Sequence, residues 1–476
     1  MFTGLKPYPE YVAATLPWVD GVPVSWRFVR AKNALRTIDV RSLSGEEELL
    51  TVSSARGVVR RASTTVSMFQ AGSYAGHKLC WPGDLVINSL WAWGRGLGVS
   101  PHYGIVSTAY GVYRARRDAD LTPDFLHELV RSKPFQWELQ VRSKGVWKSR
   151  LQLTDDSFLC APLPLPPHRD QEAIVRFLDH ANVRIGRAIA AKRKMIALIM
   201  EQNQVCIRDV ITRGLDGSAS PVASDVPWMS EVPSHWCIEP IAAFASLIQT
   251  GPFGSQLHAG EYIEDGVPVV NPSHLSNGVL APDRTVSVEA AKAEQLGRHR
   301  LKEGDIVVAR RGELGRCSVV SDAETGWICG TGSMIVRLRT SVIDPWYFQL
   351  AFSSAQYKDA LGLESVGATM GNINAGVVSR LQFARPPLDE QVEIVNFVRD
   401  QSRRDAIRSA VLIREIGVIN EFRTRLTADV VTGQLDVREA ASKLPDLDPG
   451  DLASADVDDS EDIDAVAEEF LDEDML

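Results

Sequence analysis

The chain has 476 residues, of which 45% are hydrophobic and 24% are charged, and it contains 35 glycines and 25 prolines. These are the proportions of ordinary globular proteins, so they exclude a wholly disordered, a collagen-like and a purely coiled-coil chain. The length predicts roughly two to four domains. The formal net charge of −10 is unfavourable for a protein that binds nucleic acid.

The negative charge is concentrated at the C-terminus. Residues 444–476 contain fourteen Asp or Glu and no Lys or Arg, so residues 1–443 carry all 51 basic and only 47 acidic residues, a net charge of +4. We expect residues 441–476 to be a disordered acidic tail, because its charges repel one another and it has little apolar surface to bury. Such a tail is either solubilising or an electrostatic arm that binds a partner or competes with DNA for a basic groove.

The N-terminus and the cysteines indicate where the protein acts. The first residues lack the basic and apolar segments of a signal peptide, and no apolar run approaches the ~18 residues of a membrane span. The six cysteines include no C-x-x-C pair, which argues against a zinc site and a disulfide framework. We expect a soluble, cytoplasmic protein that does not bind a membrane.

One long pattern occurs twice in the chain. The segment 17–26, with Trp18, Val22-Pro23 and Trp26, returns as 227–236, and residues 166–216 match residues 386–436 at 16 of 51 positions. The chain thus reads as head, spacer, head, spacer and tail. The predicted boundaries are 1–164 and 217–384 for the heads, 165–216 and 385–440 for the spacers, and 441–476 for the tail.

The first head contains β-type runs at 84–88 and 104–107, after turns with glycine, and a helical stretch at 123–132. Near its end, basic residues surround a tryptophan. Since basic side chains neutralise phosphates and read base edges, we predict nucleic-acid contacts for Lys144, Lys148 and Arg150. A solvated basic face is the alternative.

The first spacer is predicted to be one long helix, residues 169–213. It contains no proline and one glycine, has acidic residues in its first turn, and is followed by Gly214. Apolar residues recur at intervals of three and four, as in a coiled-coil seam. The seam and predicted spacer or partner interface comprises Ile174, Leu178, Ile185, Ile189, Ile196, Ile199 and Val210.

The second head has predicted strands at 305–309, 317–320 and 333–337 and a helix at 345–354. Two of its features are candidates for binding nucleic acid. One is a tight, glycine-bounded loop, Gly251, Pro252, Phe253, Gly254, Ser255 and Gln256. The other is a basic cluster, Arg298, Arg300, Arg310, Arg311 and Arg316.

The second spacer is predicted to be a helix from Asp389 to Thr432, followed by Gly433. Gln401, Asp405 and Ser409 interrupt the first half of its seam. At 1.5 Å per residue each spacer helix would be roughly 65 Å long, and we expect the two to pack antiparallel. The apolar residues of this seam are Ile394, Leu412, Ile416, Ile419, Leu426 and Val430.

No complete active site is recognisable. The sequence lacks a phosphate-binding G-x-x-x-x-G-K-[ST] loop, an H-E-x-x-H zinc motif and a G-x-S-x-G nucleophile elbow. The segment Asn271-Pro-Ser-His274 lacks the second proline and the aromatic residue of the loop with which adenine methyltransferases grip a base, so a turn is favoured. We predict neither catalytic residues nor a metal site.

Taken together, these motifs resemble those of a known family. Residues 386–395 (PPLDEQVEIV), their copy at 166–175, the Gly251-Pro-Phe-Gly-Ser255 loop and the paired tryptophan motifs are similar to those of specificity subunits of type I restriction-modification systems. The resemblance implies an α+β fold with a pseudo-two-fold repeat, in which two mixed α/β target recognition domains alternate with two helices that form an antiparallel coiled-coil spacer.

The resemblance also implies a function. The family's specificity subunit is not an enzyme: it binds a bipartite site in double-stranded DNA and directs two modification (methyltransferase) subunits and the restriction (translocase and endonuclease) subunits. Those partners use S-adenosylmethionine, ATP and Mg, and this chain would bind no cofactor itself. Two alternatives are a protein-binding scaffold without catalytic activity and a stand-alone DNA methyltransferase or nuclease whose motifs are unrecognised.

Overall fold

The computed structural model describes residues 5–63, 73–145, 151–216, 220–276, 278–364, 373–448 and 450–451. The chain divides into two compact units. Among the described residues, unit 1 comprises those within 5–194 and 412–451, and unit 2 comprises those within 195–411. Each unit therefore contains one predicted head together with part of both predicted spacers.

In the first head, strands and short helices alternate. The strands are β1 (Tyr11–Leu16), β2 (Val19–Pro23), β3 (Arg27–Arg30), β4 (Leu35–Thr37), β5 (Leu50–Ser53), β6 (Gly57–Arg60), β7 (Lys78–Cys80), β8 (Leu85–Asn88), β9 (Leu97–Val99), β10 (Gly104–Val106), β11 (Tyr110–Ala115) and β12 (Pro162–Leu165). The helices are α1 (Ala31–Ala34), α2 (Pro123–Arg131), α3 (Lys133–Arg142) and α4 (Asp155–Leu159), and the long helix α5 (His168–Arg213) follows.

The second head has a similar succession of elements. Its strands are β13 (Pro221–Val226), β14 (Met229–Pro233), β15 (Cys237–Pro240), β16 (Ala245–Thr250), β17 (Val267–Val270), β18 (Leu275–Ser276), β19 (Val279–Leu280), β20 (Ser287–Val288), β21 (Asp305–Ala309), β22 (Cys317–Val319), β23 (Ile328–Cys329), β24 (Ser333–Leu338) and β25 (Gln382–Arg385). Its helices are α6 (Ala290–Gln295), α7 (Pro345–Phe352), α8 (Ala355–Glu364) and α9 (Ala375–Arg380), followed by α10 (Leu388–Val431) and α11 (Arg438–Ser442).

Each head is built on a four-stranded antiparallel sheet. The strand order is β4-β11-β8-β9 in the first head and β16-β24-β21-β22 in the second. Most of these strands are flanked by glycine or proline in the sequence. The strands predicted from this pattern at 84–88, 305–309, 317–320 and 333–337 are confirmed. The heads are thus mixed α/β domains.

A buried ion pair recurs at the same place in both sheets. Asp84 begins the turn into β8 and accepts two hydrogen bonds from Arg114 on β11, at 2.6 and 2.7 Å. Asp305 at the start of β21 accepts two from Arg337 on β24, both at 2.7 Å. The aspartates are 0% and 1% exposed, so each buried charge is compensated by a two-pronged partner.

Gln171 and Gln391, in the repeated Pro-Pro motif, tie each head to its long helix. The Gln171 side chain donates to the carbonyls of Asp120 and Pro166 and accepts from the amide of Thr122, the residue that caps α2. Gln391 makes the corresponding bonds in unit 2, where it accepts from the amide of Asp344, the cap of α7. A fully buried amide with its hydrogen bonds satisfied fixes the start of each helix against its head.

Both long helices end as predicted. Gly214 and Gly433 each have φ of +75°, the left-handed conformation that glycine adopts most readily. In unit 1, the end of α10 packs on the β1–β2 hairpin, where the Tyr11 hydroxyl donates to the carbonyl of Gly433 at 2.9 Å. In unit 2, Gly214 lies beside Trp236, which follows the β13–β14 hairpin.

The two long helices meet inside each unit. In unit 1, Lys192 of α5 pairs with Glu415 of α10 at 2.5 Å. In unit 2, Asn203 donates to Ser402 at 3.3 Å. Lys192 and Asn203, polar residues that interrupt the apolar seam of α5, are therefore paired with polar residues of the other helix.

The predicted tail begins too early. Ala441 is 2% exposed, and Leu444 packs against the core of unit 1. Residues up to Asp451, except position 449, belong to the described structure. Helix α11 extends into the predicted tail and continues the packed chain beyond the end of α10. The remainder of the predicted tail, residues 452–476, lies outside the described residues.

Candidate nucleic-acid interface

The glycine-bounded loop of the second head leaves the sheet at the end of β16. The amide of Gly251 donates to the carbonyl of Ser333 at 2.9 Å. A Cβ atom at Gly251 would lie 1.9 Å from the carbonyl oxygen of Gly330, so this close backbone approach requires glycine. Gly251 and Pro252 are buried, whereas the Phe253 side chain is 62% exposed.

Local bonds shape the rest of this loop. Gly254 has φ of +63°, and the Gln256 side chain accepts from the amide of Phe253 at 3.3 Å. Leu257, which is 7% exposed, anchors the loop in the hydrophobic core. The backbone at Ser255 is helical, and its side chain lies outside the described atoms. The loop therefore presents an aromatic side chain from a fixed base.

Arg310 and Arg311 follow β21 at the same end of the sheet. This follows from the register, since Thr250 pairs with Met334 and Ala309 pairs with Ser333. Arg310 donates to the carbonyls of Ile373 and Thr331, and burial together with the charge of Arg311 lowers its pKa. Arg311 is exposed. One arginine thus fixes the surrounding loops and its neighbour faces solvent.

The remaining predicted arginines have different surroundings. Arg316 is half-buried, and its Nε has no hydrogen-bond partner among the described atoms. Arg300 pairs with Glu294 at 3.2 Å. Arg298 is exposed, and its carbonyl accepts from the side chain of Gln249 on β16 at 3.1 Å. Of the five, Arg298 and Arg311 are the exposed ones, and Arg298 is attached to the strand that carries the loop.

In the first head, two of the three predicted residues, Lys148 and Arg150, lie outside the described residues. Lys144 is exposed, and its backbone pairs with that of Gln152 at 2.9 Å in both directions.

Comparison of the two sheets reveals residues that the sequence analysis missed. Leu90 follows Asp84 by six residues, as Arg311 follows Asp305. Leu90 and the adjacent Trp91 are 55% and 38% exposed. Both heads contain a Gly-Asp turn, Gly83-Asp84 and Gly304-Asp305. Counting six residues forward from each aspartate would have identified Leu90 as the counterpart of Arg311. At this position the second head is thus basic and the first head is apolar.

A polar cavity of about 420 Å³ lies in unit 1, among α2, α3 and the long helices. Arg131 is placed by four backbone carbonyls, those of Ser53, Ser54, Ala55 and Leu97. The basic residues that line the cavity are Arg56, Arg95, Arg131, Lys133 and Arg423. This concave basic surface combines head and helix residues that are distant in sequence, which explains why the sequence analysis missed it.

The predicted spacer or partner residues are mainly internal. Nearly all are under 9% exposed: Ile174, Leu178, Ile185, Ile189, Ile196, Val210, Ile394, Leu412, Ile416, Leu426 and Val430. Ile199 and Ile419 are half-buried. Side chains this deeply buried are not accessible to a partner subunit. The exposed apolar residues of α10 are others, namely Leu388, Val392, Phe397, Ile407, Val411, Val418 and Phe422, at 36–61% exposure.

The described residues contain neither a candidate metal site nor a candidate membrane-spanning helix. No group of three or more His, Cys, Asp or Glu side chains there could hold a metal ion. Within the same ranges, no helix combines the length and the apolar character needed to span a bilayer.

Comparisons with known proteins agree with one another. Residues 254–414 match the family model of the type I restriction modification DNA specificity domain. The specificity subunit of the type I restriction enzyme EcoKI from Escherichia coli (strain K12) is 23% identical over 311 residues, which are 63% of this chain and 63% of that protein. The chain thus spans less than two thirds of the length of this curated relative.

A solved structure shares the fold. This structure, from work on the assembly and conformational transition of the type I R-M system, has a TM-score of 0.61 at 17% identity and covers 87% of this chain and 99% of its own. The HsdS subunit from Thermoanaerobacter tengcongensis gives a TM-score of 0.49 at 17% identity, over 87% and 98% of the two chains. The predicted resemblance is confirmed: the chain is similar to the specificity subunits of type I restriction-modification systems.

Proposed function

We propose that this chain is the DNA-recognition subunit of a type I restriction-modification complex and that it has no catalytic activity of its own. Each head would read one half of a bipartite site in double-stranded DNA. The observation that carries this proposal is the pair of sheets with the same strand order whose equivalent ends present different side chains, Arg311 in one head and Leu90 in the other. Equivalent scaffolds with unlike surfaces suit two unlike half-sites.

The chemistry of the second head favours a polar half-site. An arginine can bond the O6 and N7 atoms of guanine in the major groove, and exposed cations bind phosphates. Arg311 and Arg298 are exposed near the Phe253 loop, which itself offers an apolar contact. We infer that this end of the sheet enters a groove.

The first head offers a different set of contacts. Leu90 and Trp91 are apolar and suit a thymine methyl group. The basic cavity of unit 1 would supply cations that bind phosphates, such as Arg56 and Lys133. Recognition there would depend more on apolar contact and DNA shape than recognition by the second head.

The long helices would serve as the spacer between half-sites. We propose that α5 and α10 form an antiparallel coiled coil within a pseudo-two-fold repeat, and the contacts Lys192 to Glu415 and Asn203 to Ser402 support this direction. Helices of 46 and 44 residues are roughly 65–70 Å long at 1.5 Å per residue. Their length would set the gap between the half-sites.

Partner subunits would supply the chemistry. Two modification subunits would transfer methyl groups to adenine from S-adenosylmethionine, and restriction subunits would use ATP and Mg, all in the cytoplasm. In unit 1, the exposed apolar side chains Val418 and Phe422 lie one turn apart on α10. Exposed apolar patches mark protein-binding surfaces, and we propose that modification subunits dock there.

A selection experiment tests the proposal. The chain, purified with its modification subunits, is incubated with randomised duplex DNA, and the bound duplexes are sequenced. We expect two short conserved blocks at a fixed separation. A complex that assembles but enriches no sequence would instead support the protein-binding scaffold.

A further inference from the structure

Helix α5 carries a line of basic side chains within unit 1. Arg176, His180 and Arg187 lie at relative positions 0, 4 and 11, which places them on one helix face. Lys194 follows seven residues after Arg187 and continues the line. The two arginines are 43% and 62% exposed, so this face points away from the core.

The chain's own C-terminal segment lies along this line. Arg176 donates to the carbonyl of Leu444 and pairs with Asp446 at 3.0 Å. His180 Nε2 donates to the carbonyl of Pro445 at 2.8 Å. Arg187 pairs with Asp451 at 2.5 Å. Leu444, Pro445, Asp446 and Asp451 thus contact α5 over about three of its turns.

This segment is firmly anchored at one end only. Before it, α11 is packed in the core, with Ala441 2% exposed and Arg438 beside the ring of Tyr8. Beyond Pro445 the segment is held by surface ion pairs, Arg176 with Asp446 and Arg187 with Asp451, in which Asp446 is 95% exposed. Exposed pairs are individually weak and are screened by salt, so the segment can leave α5 while α11 stays in place.

We propose that the basic face of α5 is the docking surface of this segment, residues 444–451, and that docking keeps duplex DNA lacking the recognition site off the helix. A line of cations attracts phosphates of any sequence, because the attraction is electrostatic. The segment occupies the cations with carboxylates and carbonyls. Its effect on DNA rests on the proposed function, whereas its docking does not.

Charge favours the tail as occupant. After Asp451 the sequence continues with eleven further Asp or Glu and no Lys or Arg, which adds negative charge next to the docked segment. The tail is joined to the surface through α11, so its effective concentration there is high. A free DNA duplex must compete with this tethered polyanion.

The docking is tested by hydrogen exchange in the full chain. Replacing Arg176 and Arg187 by alanine should speed exchange in residues 444–451 at low salt and leave α11 unchanged. A charge reversal, Arg187→Glu, should do the same, and Asp451→Lys in that background should restore protection. Unchanged exchange in the double alanine variant, or no rescue by the reversed pair, would overturn docking.

The effect on DNA is tested by a cycle of four proteins: the full chain, the chain ending at residue 443, the Arg176→Ala/Arg187→Ala variant, and the truncated double variant. Truncation should raise affinity for a non-cognate duplex about tenfold at low salt and steepen the salt dependence by about two phosphate contacts. In the alanine background, truncation should have little effect, because the face that DNA would use has lost its charge.

The other outcomes of this cycle contradict the proposal in distinguishable ways. An equal gain on truncation in both backgrounds would show a general effect of the tail's charge. A change in assembly with modification subunits but not in DNA affinity would identify a protein interface. If no variant binds non-cognate DNA, the masking role is overturned together with DNA binding, while hydrogen exchange still reports on docking.

Discussion

Arg311 is the residue on which the proposed reading of the second half-site depends most directly. It is exposed at the end of β21, and its neighbour Arg310 is held by the carbonyls of Ile373 and Thr331. An arginine fork on a fixed backbone can discriminate one base pair by about 1–3 kcal/mol, since the wrong base leaves its donors unpaired.

We predict that Arg311→Ala weakens binding about 10- to 100-fold and relaxes the preference at one position of one half-site. Binding to duplexes that vary singly at every position measures this. The control is Arg284→Ala, an 88% exposed arginine that pairs with Asp265, two residues before the far end of β17. An equal loss on all sequences would assign Arg311 to a phosphate instead.

His127 makes the stability of unit 1 sensitive to pH. Burial, and then the charge of Arg131, lowers the pKa of His127 to about 3, and its Nδ1 accepts from the amide of Val99 at 3.2 Å. The unfolded chain therefore binds a proton below the ordinary histidine pKa of about 6.5, whereas the folded chain binds it only near pH 3.

We predict that unit 1 loses stability as the pH falls from about 6.5 toward 3, by up to about 1.4 kcal/mol per pH unit from this residue alone. His127→Gln keeps a hydrogen-bond acceptor but does not titrate, so its unfolding free energy should fall less steeply. Urea denaturation of both proteins at several pH values measures the difference. Parallel pH profiles would contradict the assignment.

Residue-level prediction from sequence succeeded where a local pattern carries the information. The positive φ of Gly214 and Gly433 was predicted because each follows a long helical pattern. The close approach at Gly251 depends on Gly330, which is 79 residues away, so no local pattern indicates it. Leu90 is a different case, because counting six residues from the Gly83-Asp84 turn would have identified it.

At the scale of elements, the end of α10 is a junction that only glycine fits. A Cβ atom at Gly433 would lie 2.5 Å from Cδ of Pro23 and 3.1 Å from the ring of Trp26. The residue also has φ of +75°, which is strained for alanine. In contrast, Gly417 lies within α10 with open space at its Cβ position.

We predict opposite effects for two identical substitutions. Gly433→Ala should lower the free energy of unfolding of unit 1 by at least about 1 kcal/mol, through strain and the clash with Pro23. Gly417→Ala should raise it by about 0.5–1 kcal/mol, because alanine favours a helix interior. Chemical denaturation measures both, and destabilisation by Gly417→Ala would contradict the description of that face.

The elements themselves were largely predictable. Glycine and proline bound the strands, and long proline-free stretches mark α5 and α10, so their limits agree with the structure within a few residues. The likeness of the two heads was harder to detect, because it resides in pairs such as Asp84 with Arg114 that are 30 residues apart.

At the scale of the whole molecule, the helices should act as a ruler. In the proposed antiparallel coiled coil, residues 194–200 of α5 and 407–413 of α10 would form a matched heptad, by extension from the Lys192–Glu415 contact. Deleting both heptads would preserve the register of that coiled coil and remove about 10 Å of helix. At 3.4 Å per base pair, this corresponds to about three base pairs.

We predict that the double deletion shortens the gap between half-sites and leaves both half-sequences unchanged. Sequencing the sites methylated by the complex of this variant measures the gap. Deleting only one heptad is the control, because it leaves the helices unmatched and should abolish activity. An unchanged gap in the double deletion would show that the helices do not set the spacing.

On this proposal, one chain recognises two different DNA sequences at a fixed separation. To test it, the chain is expressed with modification subunits, and methylated adenines in genomic DNA are mapped at single-base resolution. We predict one split motif, with two unlike blocks and a constant gap. A stable complex that methylates no defined sequence, or one continuous motif, would contradict it.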